Sequence, residues 1–283
     1  MTRMEEFQQY PWRLWSRQLT TIVRMELRKS LFRWRSAWIY LIALAPVFIV
    51  GGHALFDHHS SSEGMREDIV ILAGIFQLYY LRLAIFFGCL GIFTRLIRGE
   101  MVERSLHYYL LAPVRRELLV IAKFIAGVFT SITVFATAVF MCTAFMYLHF
   151  GHKGMLFLTE GPGAYHMKAY LGITVLACLG YGAVFLALSM VFKNPIVPAI
   201  LFFGWEAINP VMSPLMQKLS ITFYLRHLSP VDVPAEGVFA LLTVVAEPVP
   251  AWAASLGVVA LTAGVLLLAC YRVRKLEISY TTE

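Results

Sequence analysis

The sequence predicts an all-α membrane protein. It comprises six transmembrane helices, an N-terminal amphipathic interfacial helix, a short amphipathic cytoplasmic helix between spans 2 and 3, and a re-entrant helical hairpin between spans 5 and 6. Three observations predict this. Of 283 residues, 59% are hydrophobic and only 14% charged, where ordinary domains carry about a quarter charged residues. Six apolar runs are long enough to cross a hydrocarbon core about 30 Å thick. Lys and Arg are shared very unequally among the segments between those runs.

Residues 1–35 form a cytoplasmic, interfacial segment. Trp12, Trp15, Leu19, Ile22 and Val23 recur at helical spacing while Arg13, Arg17, Arg24 and Arg28 occupy other faces, a pattern that suits a helix lying on the membrane surface. Residues 36–275 form the six-span domain, and 276–283 a cytoplasmic tail. The spans are expected at Ser36–Phe56, Ile69–Phe93, Leu118–Phe150, Ala169–Phe192, Ile196–Gln217 and Ala251–Val273. At about 1.5 Å per residue, the third projects beyond the bilayer. Asp57–Asp68 is a short acidic outer loop, and Gly151–Lys168, with four glycines and a proline, is an irregular one. Pro210, Pro214, Pro230, Pro234, Pro248 and Pro250 break the region from Trp205 to Pro250 into short pieces. Within it Val238–Ala246 is apolar but too short to span, which is the basis for the hairpin.

Seventeen Lys and Arg residues fall on the side that holds both termini, against five on the other. Both termini are therefore expected in the cytoplasm, with the chain in the cytoplasmic (inner) membrane. This asymmetry and attraction to anionic membrane lipids account for the net charge of +7, leaving no case for nucleic acid. Cys89, Cys142, Cys178 and Cys270 all fall within spans with no paired spacing, so they read as packing residues. No internal repeat is visible, which weighs against a secondary transporter built from inverted repeats.

The most informative stretch is Gly99–Lys123, GEMVERSLHYYLLAPVRRELLVIAK, a charged and aromatic segment joining two very apolar ones. Glu100, Glu103 and Arg104 offer charged contacts that fix register and partner choice. Leu106, Tyr108, Tyr109 and Leu110 offer anchors for burial against a partner. A solvated loop resting on the headgroups is the alternative.

In the order Glu100, Ser105-Leu106, Leu110-Leu111, Pro113 and Lys123, this stretch resembles the signature of type-2 ABC-transporter permeases. Arg104 and Ser105 stand where that family typically has Gly and Thr. Tyr224–Phe239 resembles the family's segment before the last span through Ser229-Pro230 and Gly237. The resemblance implies a coupling helix between spans 2 and 3 that docks on a separate ATPase, with Glu100, Glu103, Arg104, Ser105, Leu106, Tyr108, Tyr109, Leu110 and Pro113 as the coupling residues. It further implies two ABC ATPase subunits, a second permease copy in a homodimer, and two subunits that rock from inward- to outward-open. The sequence has no Gly-Lys-Ser/Thr P-loop, so it is not expected to be an enzyme; ATP and Mg would belong to the partner, with no cofactor here. An exporter of a lipid-like, peptide or amphipathic substrate is the expected function. A membrane anchor passing ATPase force to an extracytoplasmic machine, or a metal-handling membrane protein, are the alternatives.

Two ionisable residues fall well inside spans, Arg82 and Glu206. An isolated central charge costs at least about 2.5–3.5 kcal/mol, and both lie roughly 16–18 Å deep counted from the cytoplasmic ends, so they are expected to pair. Phe140, Phe145, Phe202, Phe203 and Trp205 are candidates for an aromatic translocation wall. Seven histidines (His53, His58, His59, His149, His152, His166 and His227) are expected near the outer side. Met146, His149, His152 and Met155 fall at three-residue spacing, a pattern open to a soft or borderline metal. Gly151 and Gly154 interrupt that row and no cysteine or carboxylate set lies near it in the sequence, so no metal site is expected.

Overall fold

The computed structural model describes residues 12–31, 37–56, 62–103, 111, 114–231, 233 and 249–274, and every regular element among them is helical. In chain order these are α1 (Trp12–Leu31), α2 (Ala37–Phe56), α3 (Gly64–Val102), α4 (Arg116–Leu148), α5 (His152–Thr159), α6 (Gly163–Val191), α7 (Ile196–Ile208), α8 (Pro214–Gln217), α9 (Ile221–His227) and α10 (Ala251–Arg274). Five of them, α2, α3, α4, α6 and α10, are long and apolar enough to cross a membrane. They coincide with expected spans 1, 2, 3, 4 and 6.

The expected fifth span, Ile196–Gln217, is corrected. α7 stops at Ile208, and a 3-10 turn at Asn209–Val211 and the four-residue α8 follow it. Pro210 has no N–H to continue the ladder, and Pro214 breaks the chain again. At about 1.5 Å per residue α7 is about 20 Å long, short of the hydrocarbon core. The turn closes on itself: Asn209 Nδ2 donates to the Gln217 carbonyl, and Gln217 Nε2 donates to the carbonyls of Pro210 and Met212. Val238–Ala246, the centre of the expected hairpin, lies outside the described residues.

α4 and α6 form the centre of the bundle. α6 packs against α3, α4 and α10, and α4 also against α1 and α2. Phe93 of α3 is wedged between Gly127 of α4 and Gly182 of α6, and a Cβ at either glycine would overlap its ring. Only a residue without a side chain lets three backbones close on one aromatic ring.

α2 and α3 are joined by a different device. Pro46 lies inside α2 and cannot donate to the carbonyl of Ile42, four residues earlier. Tyr79 of α3 donates its hydroxyl to that carbonyl at 2.9 Å, and Tyr80 donates to Ala43 O at 3.2 Å. Both tyrosines sit in a π-helical stretch, Ile75–Ala84, whose wider turn shifts side-chain register relative to an α-helix.

The expected amphipathic helix is α1. Its apolar stripe turns onto the start of α4, where Ile22 packs with Leu119 and Ala122, flanked by Leu19, Val23, Met101 and Val114. At the periphery, α2, α7 and α10 carry exposed large apolar side chains such as Phe48, Leu201 and Leu267. Such faces suit lipid rather than water.

Candidate functional site

The segment Gly99–Lys123 leaves α3 and enters α4. Glu100 lies in the last turn of α3, Glu103 follows in a turn donating its N–H to Gly99 O, and Arg115 is extended before α4 begins at Arg116. Arg104, Ser105, Leu106, Tyr108, Tyr109, Leu110 and Pro113 lie outside the described residues. Both roots of the segment are described, and a buried ion-pair cluster joins them.

Lys123, about two turns into α4, is fully buried, and its Nζ lies 2.9 Å from Glu26 Oε1 of α1 and 2.8 Å from Glu100 Oε2 of α3. Lys29, one turn beyond Glu26, brings a second ammonium 3.5 Å from Glu100 Oε1 and 3.9 Å from Glu26 Oε1. Among the described residues two carboxylates thus meet two ammonium groups, Lys123 buried and Lys29 half-exposed, and buried charges are tolerated only when paired in this way. Burial alone would raise the Glu26 carboxyl, but the Lys123 charge, its hydrogen bond and Lys29 outweigh it and hold that carboxyl below its ordinary value of 4.5. The cluster thus ties α1, α3 and α4 at one point. Nearby, the Arg115 guanidinium lies 4.3 Å from the centroid of Trp15, a cation–π contact. Arg274 Nε donates to Glu117 Oε1 at 2.6 Å, adding the end of α10 to the same end of the bundle.

A cavity of about 180 Å³ opens beside the cluster, lined by Glu26, Lys29, Glu100 and Glu103 on its polar side and by Tyr40 and Val134 deeper in. Tyr40 and Val134 also line a groove of about 970 Å³ between α2 and α4, walled by Leu44, Val47, Phe48, Met141 and Phe145. The charged cavity and the apolar groove therefore adjoin at Tyr40 and Val134.

Residues 22–205 match the family of ABC-2 family transporter proteins. The chain belongs to the ABC-2 transporter family. No curated protein matches it. Family and helices together make it an integral, multi-pass membrane subunit of the permease class, a class that works with ABC ATPases.

Of the residues read from the sequence, this ABC-2 subunit brings some together and separates others. Arg82 and Glu206 do not pair, since no ion pair within 4.0 Å joins them, although both lie within electrostatic reach of Tyr181. Glu206 instead accepts from Ser220 Oγ at 2.8 Å, Ile221 N at 3.1 Å and Thr222 N at 2.9 Å. The positive end of α9 and a hydroxyl take the place of the cation. Equal depth along two helices says nothing about which way each side chain points, which is why the pairing fails.

Phe202 stacks on Phe86 and Phe203 meets it edge-on, in a cluster with Phe87, Tyr181 and Phe185. Phe145 instead lines the α2–α4 groove, Phe140 is exposed, and Trp205 is half-buried. The five expected aromatics do not form one wall. The Met146–Met155 row is also split. α4 ends at Leu148, Gly151 adopts φ +62°, and His152 and Met155 pass onto α5 with exposed side chains.

Glu26 is the member of the buried cluster that the sequence reading missed. Its signal was an acidic residue on the same stripe as Ile22, four residues on, which places a carboxylate on a buried face that needs a cation. Gln77 was missed too. Its Nε2 donates to Ser229 Oγ at 2.9 Å and to Val231 O at 2.8 Å, tying α3 to the Ser229-Pro230 motif.

Proposed function

We propose that this chain is the transmembrane subunit of an ATP-driven exporter that works as a homodimer with two separate ATPase subunits, receiving their motion through residues 99–117. The buried Glu26–Lys123–Glu100 cluster carries this reading. A docking segment is useful only if its displacement reaches the spans, and this one is rooted where three helices are held by paired charges. When ATP and Mg close the partner ATPases, a push on the segment moves α3, α4 and α1 together. The segment supplies Glu103, Arg104 and Ser105 for charged and polar contacts. Leu106, Tyr108, Tyr109 and Leu110 then supply the anchors, and Pro113 is the remaining coupling residue.

The cargo we infer is lipid-like, peptidic or amphipathic. The support is the route from a charged cavity to an apolar groove of about 970 Å³ with Thr133 and Thr137 among its few polar groups. Phe145 belongs to that wall. Both termini lie in the cytoplasm of a cell whose inner membrane holds the chain.

The test is co-purification with the cell's ABC ATPases, comparing wild type with Glu100→Lys and Leu106→Asp. An ATPase should accompany the wild type and be lost or uncoupled in both variants. Equal recovery with Leu106→Asp, which leaves the buried cluster intact, would overturn docking through this segment. Recovery of no ATPase with the wild type would overturn the exporter reading.

A further inference from the structure

The bundle end remote from Glu100 carries a cluster that coupling to an ATPase leaves unused. His53 comes from the last turn of α2, Asp68 from the start of α3, and His149 from the residue that closes α4. The Nε2 atoms of His53 and His149 lie 3.6 Å and 3.5 Å from the same oxygen, Asp68 Oδ2. Ligand atoms of the three residues all lie within 4.8 Å of one another. We propose that His53, Asp68 and His149 form a binding site for a divalent transition-metal ion, with zinc as the ion that suits their chemistry.

Distance is the first argument. Separations of 3.5–3.6 Å are long for a direct N–H···O hydrogen bond. They come within a few tenths of an ångström of the edge of a tetrahedron with metal–ligand bonds of about 2.0–2.1 Å, which is about 3.3 Å. The second argument is orientation. His149 Nδ1 lies 2.8 Å from Met146 O, and a carbonyl only accepts, so Nδ1 carries the proton and Nε2 presents its lone pair to the cluster. Metal-bound histidines are held in this way by a second hydrogen bond on the remote nitrogen. The ring is braced as well, with Phe150 3.9 Å away centroid to centroid.

Burial and ligand type complete the case. The side chains of Asp68 and His149 are 9% and 5% exposed, while His53 is 39% exposed. Two ligands are therefore fixed in the bundle and the third sits at a mouth through which an ion can enter, with a fourth position left for water. Two imidazoles and one carboxylate without sulfur favour zinc over copper(I), and nitrogen ligands disfavour calcium and magnesium. In the sequence Asp68 stands 15 residues from His53 and 81 from His149, and the fold brings all three together. A bound ion would cross-link the ends of α2, α3 and α4. The site does not depend on what the subunit transports.

The experiment uses the full-length protein in lipid nanodiscs, stripped with chelator. Zinc is titrated against a chromophoric indicator, and cobalt(II) in parallel by visible absorption. One ion per chain is expected, with the strong visible bands of four-coordinate cobalt. Asp68→Asn and His149→Gln should each weaken zinc at least about tenfold. His53→Ala, at the exposed corner, should do the same without disturbing a buried group. Zinc should also raise the Tm of wild type but not of His53→Ala. His152→Ala should bind as wild type does. Zinc uptake by wild type no greater than by His53→Ala would overturn the site, as would loss of binding in His152→Ala or a cobalt spectrum like that of the hydrated ion.

Discussion

Among the described residues, buried glutamates occur at two places and are held by opposite means. Glu26 and Glu100 share the Lys123 ammonium across three helices, with sequence separations of 97 and 23 residues. Glu206 depends on the N–H groups and hydroxyl of a segment only 14 to 16 residues ahead of it. The first arrangement binds remote elements through charges that are costly to strand, and Lys29 offers a second cation close by. The second closes a local turn with neutral donors that have nowhere else to go. A shift of α1 against α3 and α4 must therefore exchange ion pairs, while the α7–α9 turn can travel as one piece.

The strongest way to break this comparison is Lys123→Met. It leaves Glu26 and Glu100 facing each other without their buried cation, and stability should fall by about 3–5 kcal/mol, read by denaturant unfolding in micelles. A loss under about 1 kcal/mol would mean that Lys29 or water takes over, and that the three helices are not bound through this point.

Glu206→Gln should cost less, about 1–3 kcal/mol, because the amide keeps the shape and one acceptor oxygen for donors that remain in place. ATPase association should be unchanged. Should this variant prove less stable than Lys123→Met, or lose the ATPase, the division between a remote and a local site is wrong.

The smallest effect is a pH dependence confined to the first site. Because the Glu26 carboxyl is held below its ordinary value of 4.5, its contribution is fully present above that value and is lost as pH falls through the lower folded-state value. The Tm difference between wild type and Glu26→Gln should hold constant from neutral pH to about 5 and close in more acidic buffer. A difference that stays the same at every pH would remove the charge from the account of Glu26.

Much of the scaffold was legible in the sequence, and what was not has identifiable causes. The five long spans follow directly from apolar length. The expected fifth falls short because the missing N–H groups of Pro210 and Pro214 end a helix however apolar its neighbours are. Glu100 and Lys123 stood out as the two roots of one segment. Glu26 did not, because its partner is 97 residues away and a one-dimensional pattern shows a buried carboxylate without naming its cation. The same blindness to azimuth gave Glu206 the wrong partner, although Ser220 before an apolar turn was a visible helix cap. It also hid Asp68 from the histidines, since three helix ends converge only in space.

The wedge of Phe93 between Gly127 and Gly182 has a mechanical consequence. With two glycine backbones pressed on one flat ring of a third helix, there is little room to bend there, so α3, α4 and α6 behave as a stiff lever with that ring as its fulcrum. α4 has 33 residues and is about 50 Å long. On a rod of that length a tilt of about 5° becomes a displacement of about 4 Å from one end to the other. Glycine's lack of a side chain is thus what gives this lever its stiffness, and a methyl group at either position would convert it into a loose joint.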